Sequence, residues 1–180
     1  MIGITTLEQS KRLIELNIDK RTADANWYGR GETIDKAYDN YKLSFEPYAA
    51  VKARLTEMLM RDAKDKMEYG LGDGGAMYQE MIDRTYPAWS VAALMNYLPL
   101  WIGNYHLNIE KINYVQYKVG YYYWEGTTEQ AKATWTKDSL LDAVIEVVCW
   151  CLKNHYGSFQ RESMAHINPQ GQLIDGGITL

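Results

Sequence analysis

Cys151 and His155 are the residues best spaced for chemistry, because four positions apart on a helix their side chains would face one point. With His106 or His166 as a remote third ligand they would offer the thiolate and imidazole donors that zinc prefers. No further ligands follow at tetrahedral spacing. Cys151 also continues the apolar stripe of its helix, and His155 stands near the helix C-terminus, where an imidazolium interacts favourably with the dipole. The expectation is therefore no metal and no cofactor, with Cys151 and His155 as the one candidate pair.

Nucleophilic catalysis leaves no local mark either. The chain has no G-x-S-x-G elbow and no H-E-x-x-H, and its glycine cluster Gly70, Gly72, Gly74 and Gly75 lacks both a preceding strand and the Lys-Ser/Thr of a phosphate loop. No catalytic residue is named on this reading. An enzyme acting on a small substrate without a recognisable motif is the alternative.

A third group is aromatic. Over residues 114–124 period-two alternation puts Tyr114, Gln116, Lys118, Tyr122 and Trp124 on one side of a strand, around Gly120, which leaves room for close approach. Val115, Tyr117, Val119, Tyr121 and Tyr123 fall on the other side and make the better core. A face with rings and one lysine can stack bases or sugars or receive a protein, unless another part of the chain covers it. Stacking of nucleic acid calls for a cationic groove, which Lys118 alone does not make.

Whole-chain composition agrees. The 180 residues carry a net charge of -4, with 47% hydrophobic and 23% charged residues, a globular balance without a basic footprint. Fifteen Tyr and six Trp against two Phe make the aromatic surface amphipathic. No nucleic-acid partner is expected. No run approaches a membrane span and no leader pattern stands at Met1 to Ser10, so the protein is expected in the cytoplasm, with no membrane association. Cys149 and Cys151 diverge on a helix and read as free thiols in a reducing compartment.

These groups need a frame. Thr6 with Gln9 is a capping-box pattern opening a helix over 7–17. Trp27-Tyr28 reads as a short strand or an anchored loop. Pro47 opens an amphipathic helix with Val51, Leu55, Met58 and Leu59 as its apolar stripe, which runs into the glycine cluster read as a flexible loop. Segment 30–84 is thus a long excursion containing that helix. Ser90 caps a short helix that stops at Pro99. Strands over 105–110 and 114–124 form a hairpin about 111–113, and 126–132 is a loop. The strongest helix spans 139–154, with Leu140, Leu141, Val144, Val147, Val148, Cys151 and Leu152 in register and Gly157 after it.

Three pieces, TTLEQSKRLIELNID at 5–19, YPAWSVAALMNYLP at 86–99 and SLLDAVIEVVCWCLKN at 139–154, resemble in order and spacing a set of small uncharacterised proteins carried by phages and mobile elements of gut anaerobes. The resemblance covers about half the chain and brings no activity or catalytic residue. It implies an intracellular, mobile-element setting. Segment 30–84 and the part after Gly157 depart from that pattern.

The reading is an α+β chain in which residues 1–157 form one domain and 158–180 a tail or extended arm. A small antiparallel sheet, a hairpin or meander, carries helices packed mainly on one face. Binding through an unknown protein partner or self-association is the expected role.

Overall fold

In the computed structural model, which describes residues 3–29, 41–70 and 74–156 and the backbone of 166–167 and 173–174, Thr6 and Gln9 close the predicted capping box. The Thr6 hydroxyl accepts from the Gln9 N–H at 3.2 Å and the Gln9 side-chain oxygen accepts from the Thr6 N–H at 2.8 Å, opening α1 (Leu7–Glu15). Asn17 ends it in a left-handed conformation (φ 61°). The Ile18 N–H returns to the Leu13 carbonyl, and both side chains are buried, which completes a Schellman closure.

Trp27 and Tyr28 lie in a strand, β1 (Ala25–Gly29), the centre of a three-stranded antiparallel sheet between β2 (Tyr41–Ser44) and β3 (Thr85–Ala88). The expected excursion over 30–84 therefore contributes β2 to this sheet and leads directly into β3. Pro87 speaks against a strand in the sequence, yet β3 is an edge. The Gly29 N–H donates to the Arg84 carbonyl, so by alternation Asn26 and Pro87 form a non-hydrogen-bonded pair and the proline nitrogen faces off the sheet.

Between β2 and β3 run α2 (Tyr48–Tyr69) and α3 (Gly75–Asp83). Val51 and Leu55 of the expected stripe are buried, but Met58 is exposed because the second half of α2 extends past the sheet. α3 corrects the reading of the glycine cluster as loop, of which 71–73 lie outside the described residues. A Cβ at Gly74 would stand 2.9 Å from Tyr78 and 3.1 Å from an Asp62 carboxylate oxygen, so this glycine serves close packing of α3 on α2.

Ser90 caps α4 (Val91–Tyr97) as its position predicts, accepting from the Ala93 N–H. A second sheet follows in the order β4 (Trp101–Ile102), β5 (Tyr105–Lys111), β6 (Tyr117–Glu125), β7 (Thr128–Lys137), all antiparallel. Against its inner face lies α5 (Leu140–Lys153), with α4 and α1 behind, so the helices of this sheet do sit on one side. One core cluster joins Leu13 of α1 and Trp89 to Leu94, Leu98, Val119, Tyr121, Val144 and Val148, between the helices and the inner face of the second sheet. The molecule is α+β with two small antiparallel sheets, where the sequence suggests one.

Gly157 and the proposed tail lie outside the described residues, apart from the backbone pairing of β8 (His166–Ile167) with β9 (Leu173–Ile174). Among the described residues no helix is long and apolar enough to cross a membrane.

Candidate functional site

Two tight turns build the second sheet. Gly103-Asn104 joins β4 to β5 and Gly126-Thr127 joins β6 to β7, each glycine with positive φ (61° and 63°) at the first central position, as a type II′ turn requires. The expected loop over 126–132 is thus only two residues long, and β7 begins at Thr128.

Residues 112–116 form the loop between β5 and β6. Asn113 Oδ1 accepts from the N–H groups of Val115 and Gln116, both at 2.9 Å, and the Ile112 N–H donates to the Gln116 carbonyl. This Asx turn lifts Tyr114 off the strand and leaves it 97% exposed. Gln116 bends toward Asp138 before α5. Val115, expected in the core, is exposed for the same reason. Of the five candidate residues, the sheet therefore unites Lys118, Tyr122 and Trp124, and holds Tyr114 and Gln116 apart at one end.

The inner face is the expected core. Val119 and Tyr121 are buried against α5, and the Tyr121 hydroxyl donates to the Pro99 carbonyl at 2.8 Å while accepting from Cys151 Sγ at 3.8 Å. Burial pushes the Cys151 thiol up to about 12, which holds it protonated at neutral pH. His155 does not join it. It lies beyond the helix, exposed and left-handed (φ 59°), while the Tyr156 N–H returns to the Cys151 carbonyl at 2.8 Å. His106, the cross-strand partner of Tyr122, lies on the other face of the sheet.

That outer face carries a cross-strand aromatic row. Trp101 pairs with His106 and His106 with Tyr122, so all three share a side, and their neighbour Trp124 stands two residues along β6. The Trp101 and His106 rings are 5.4 Å apart. Tyr122, only 2% exposed, hydrogen-bonds Thr134 Oγ1, and the Lys118 ammonium lies 4.7 Å from its ring centre. Lys118 also donates to Glu129 at 3.0 Å, a bond that raises the lysine above its ordinary pKa. Flanking this closed unit, Trp101 and Trp124 are 54% and 51% exposed.

Close approach at Gly120 does occur, but β7 itself makes it. A Cβ there would lie 2.3 Å from the Ala133 carbonyl oxygen and 2.7 Å from Thr134 Cα. Beside it Tyr121 pairs with Ala133 and Tyr122 with Ala131, leaving Lys132 as the extra residue of a bulge, its ammonium over Tyr105 and Tyr156. Sequence reasoning missed Trp101 and His106 on this face. The Gly-Asn pair between Trp101-Ile102 and Tyr105-His106 is the hairpin signal that locates them.

The outer face thus carries two half-exposed indoles around a polar centre in which Lys118 is ion-paired with Glu129. Compared with family models, with curated proteins and with solved structures, the chain matches none.

Proposed function

We propose that the protein is a binding or accessory protein that acts through protein–protein contacts on the outer face of the β4–β7 sheet. The observation that carries this reading is the pair Trp101 and Trp124, each about half exposed on one side of the sheet on either side of buried Tyr122. Tryptophans in such settings supply large contact area and are over-represented among residues that dominate binding energy. Pairing of Lys118 with Glu129 favours a protein surface over a nucleic-acid backbone, which would draw on unpaired cations.

The setting belongs to the same proposal: a phage or mobile element, with action in the cytoplasm. Cys149 and Cys151, buried and unpaired, suit a reducing compartment. Capture from a lysate of the source cells, by wild type and by a Trp101→Ala/Trp124→Ala variant with a near-native melting midpoint, tests the reading. A partner retained by the first and lost by the second supports it; equal retention, or no partner, counts against it.

A further inference from the structure

The three-stranded sheet has one polar face. Asn26 of β1 pairs with Ser44 of β2, and Tyr28 two residues on pairs with Thr85 of β3, so Asn26, Ser44 and Thr85 point together toward α2 and α3. Opposite them stand Val51 and Leu55 of α2 and Met81 of α3. The two sets line a half-open cavity of about 290 Å³, at the lower end of small-molecule sites, rimmed by the two-pronged ion pair of Arg54 with Glu46.

Asn26 is 1% exposed and its amide is oriented by a bond on one side only. Its Nδ2 donates to the Glu46 carbonyl at 2.7 Å, which fixes Oδ1 as an acceptor, and Oδ1 has no partner among the described residues. Among those residues no side-chain oxygen or nitrogen is both sealed from solvent and unpartnered, so the Asn26 oxygen opens into the cavity that its residue lines. Beside it, Ser44 Oγ accepts from the Glu46 N–H at 3.3 Å and keeps its own proton to give. Thr85 is already committed, donating to the Met81 carbonyl. The floor therefore offers one acceptor and one donor side by side under an apolar roof.

We propose that this cavity binds a small uncharged molecule with a carboxamide or lactam edge, its N–H on Asn26 Oδ1, its carbonyl accepting from Ser44 and its apolar body against Val51, Leu55 and Met81. This site is separate from the sheet face proposed above, and stands or falls without it. Neighbouring cation and anion neutralise each other at the rim, so a neutral ligand loses no solvation of charge on entering.

Benzamide and N,N-dimethylbenzamide, which keeps the ring and carbonyl but has no N–H, are the probes. Titrated into the full chain under nitrogen-15 correlation spectroscopy, benzamide should shift the Asn26 side-chain and Leu55 backbone signals saturably in the millimolar range of a fragment, a Kd of about 1 mM. The dimethyl analogue should bind about fivefold more weakly, the worth of one hydrogen bond to a buried acceptor. Val51→Phe, which fills the cavity without touching Asn26, should abolish the shifts. No saturable shift in wild type, equal affinity for the two probes, or shifts confined to other parts of the molecule would overturn the proposal, and the wild-type comparison decides it even where the variant folds poorly.

Discussion

The Tyr122 hydroxyl bonds Thr134, the cross-strand partner of Gly120, so the ring lies along the outer face beside the one residue of β6 that has no side chain. Lys118 covers the ring from the other side and is itself anchored by Glu129. This explains why a tyrosine on the open side of a sheet is buried, while Trp124 next to it is not. It also divides the face into a buried structural centre and an exposed aromatic rim.

Tyr122→Ala should accordingly cost about 3 kcal/mol of stability, the scale of removing a buried ring. Tyr122→Phe should cost about 1 kcal/mol, the worth of its hydroxyl bond. Trp101→Ala and Trp124→Ala should cost about 1 kcal/mol or less each, as surface changes do. Urea denaturation of the four variants checks this, and a Tyr122→Ala variant as stable as the tryptophan variants contradicts the division.

Gly120→Ala sets a methyl against the β7 backbone, which cannot rotate away as a side chain would. A loss of about 1–3 kcal/mol is expected, in the range of overpacked sites. If the variant melts like wild type, the tight approach of Ala133 and Thr134 is not what holds a glycine there.

At the end of α5, His155 occupies the left-handed position that glycine takes most easily. His155→Gly should raise stability by about 0.5–1 kcal/mol by relieving that backbone conformation. Thermal melting reads the effect. A lower midpoint would mean that the exposed imidazole makes a stabilising interaction at the helix end.

Arg12 of α1 presents its fork to Glu146 of α5 at 2.9 and 2.7 Å, and this bond holds the Glu146 carboxyl below its ordinary range, with burial opposing. Because the folded value is the lower one, the stabilisation is complete above the unfolded carboxyl's titration and is lost as pH falls through the folded value. The melting midpoint should therefore decline below about pH 4, and Glu146→Gln should decline less steeply over the same window. Parallel acid profiles for the two proteins would show that the pair does not link α1 to α5 as described.

How much of this was legible in the sequence depended on whether the signal was local. The Thr6/Gln9 box, the Ser90 cap and the α5 stripe are set within a few residues, and all appear as read. β7 was not legible as a strand, because seven of its ten residues are polar and its bulge at Lys132 breaks the alternation that would announce it. β2 and β3 escaped because their pairing with β1 spans long separations, and α3 because glycines needed for packing look like glycines in a loop. At the site, alternation correctly put Lys118, Tyr122 and Trp124 on one side. It misplaced Tyr114 and Gln116, since an Asx turn at Asn113 outcompetes the strand, and it could not see that Tyr122 is covered by neighbours brought in from β7 and by Lys118.

The most direct test of the outer face uses a photocrosslinking amino acid at Asn108, exposed on β5 opposite Gly120, with Ala63 on α2 as a control position, in living source cells. A discrete adduct heavier than the chain is expected from position 108, absent from position 63 and lost when Trp101 and Trp124 are both alanine. No adduct from 108, or one that persists without the two tryptophans, would contradict the assignment of this face to partner binding.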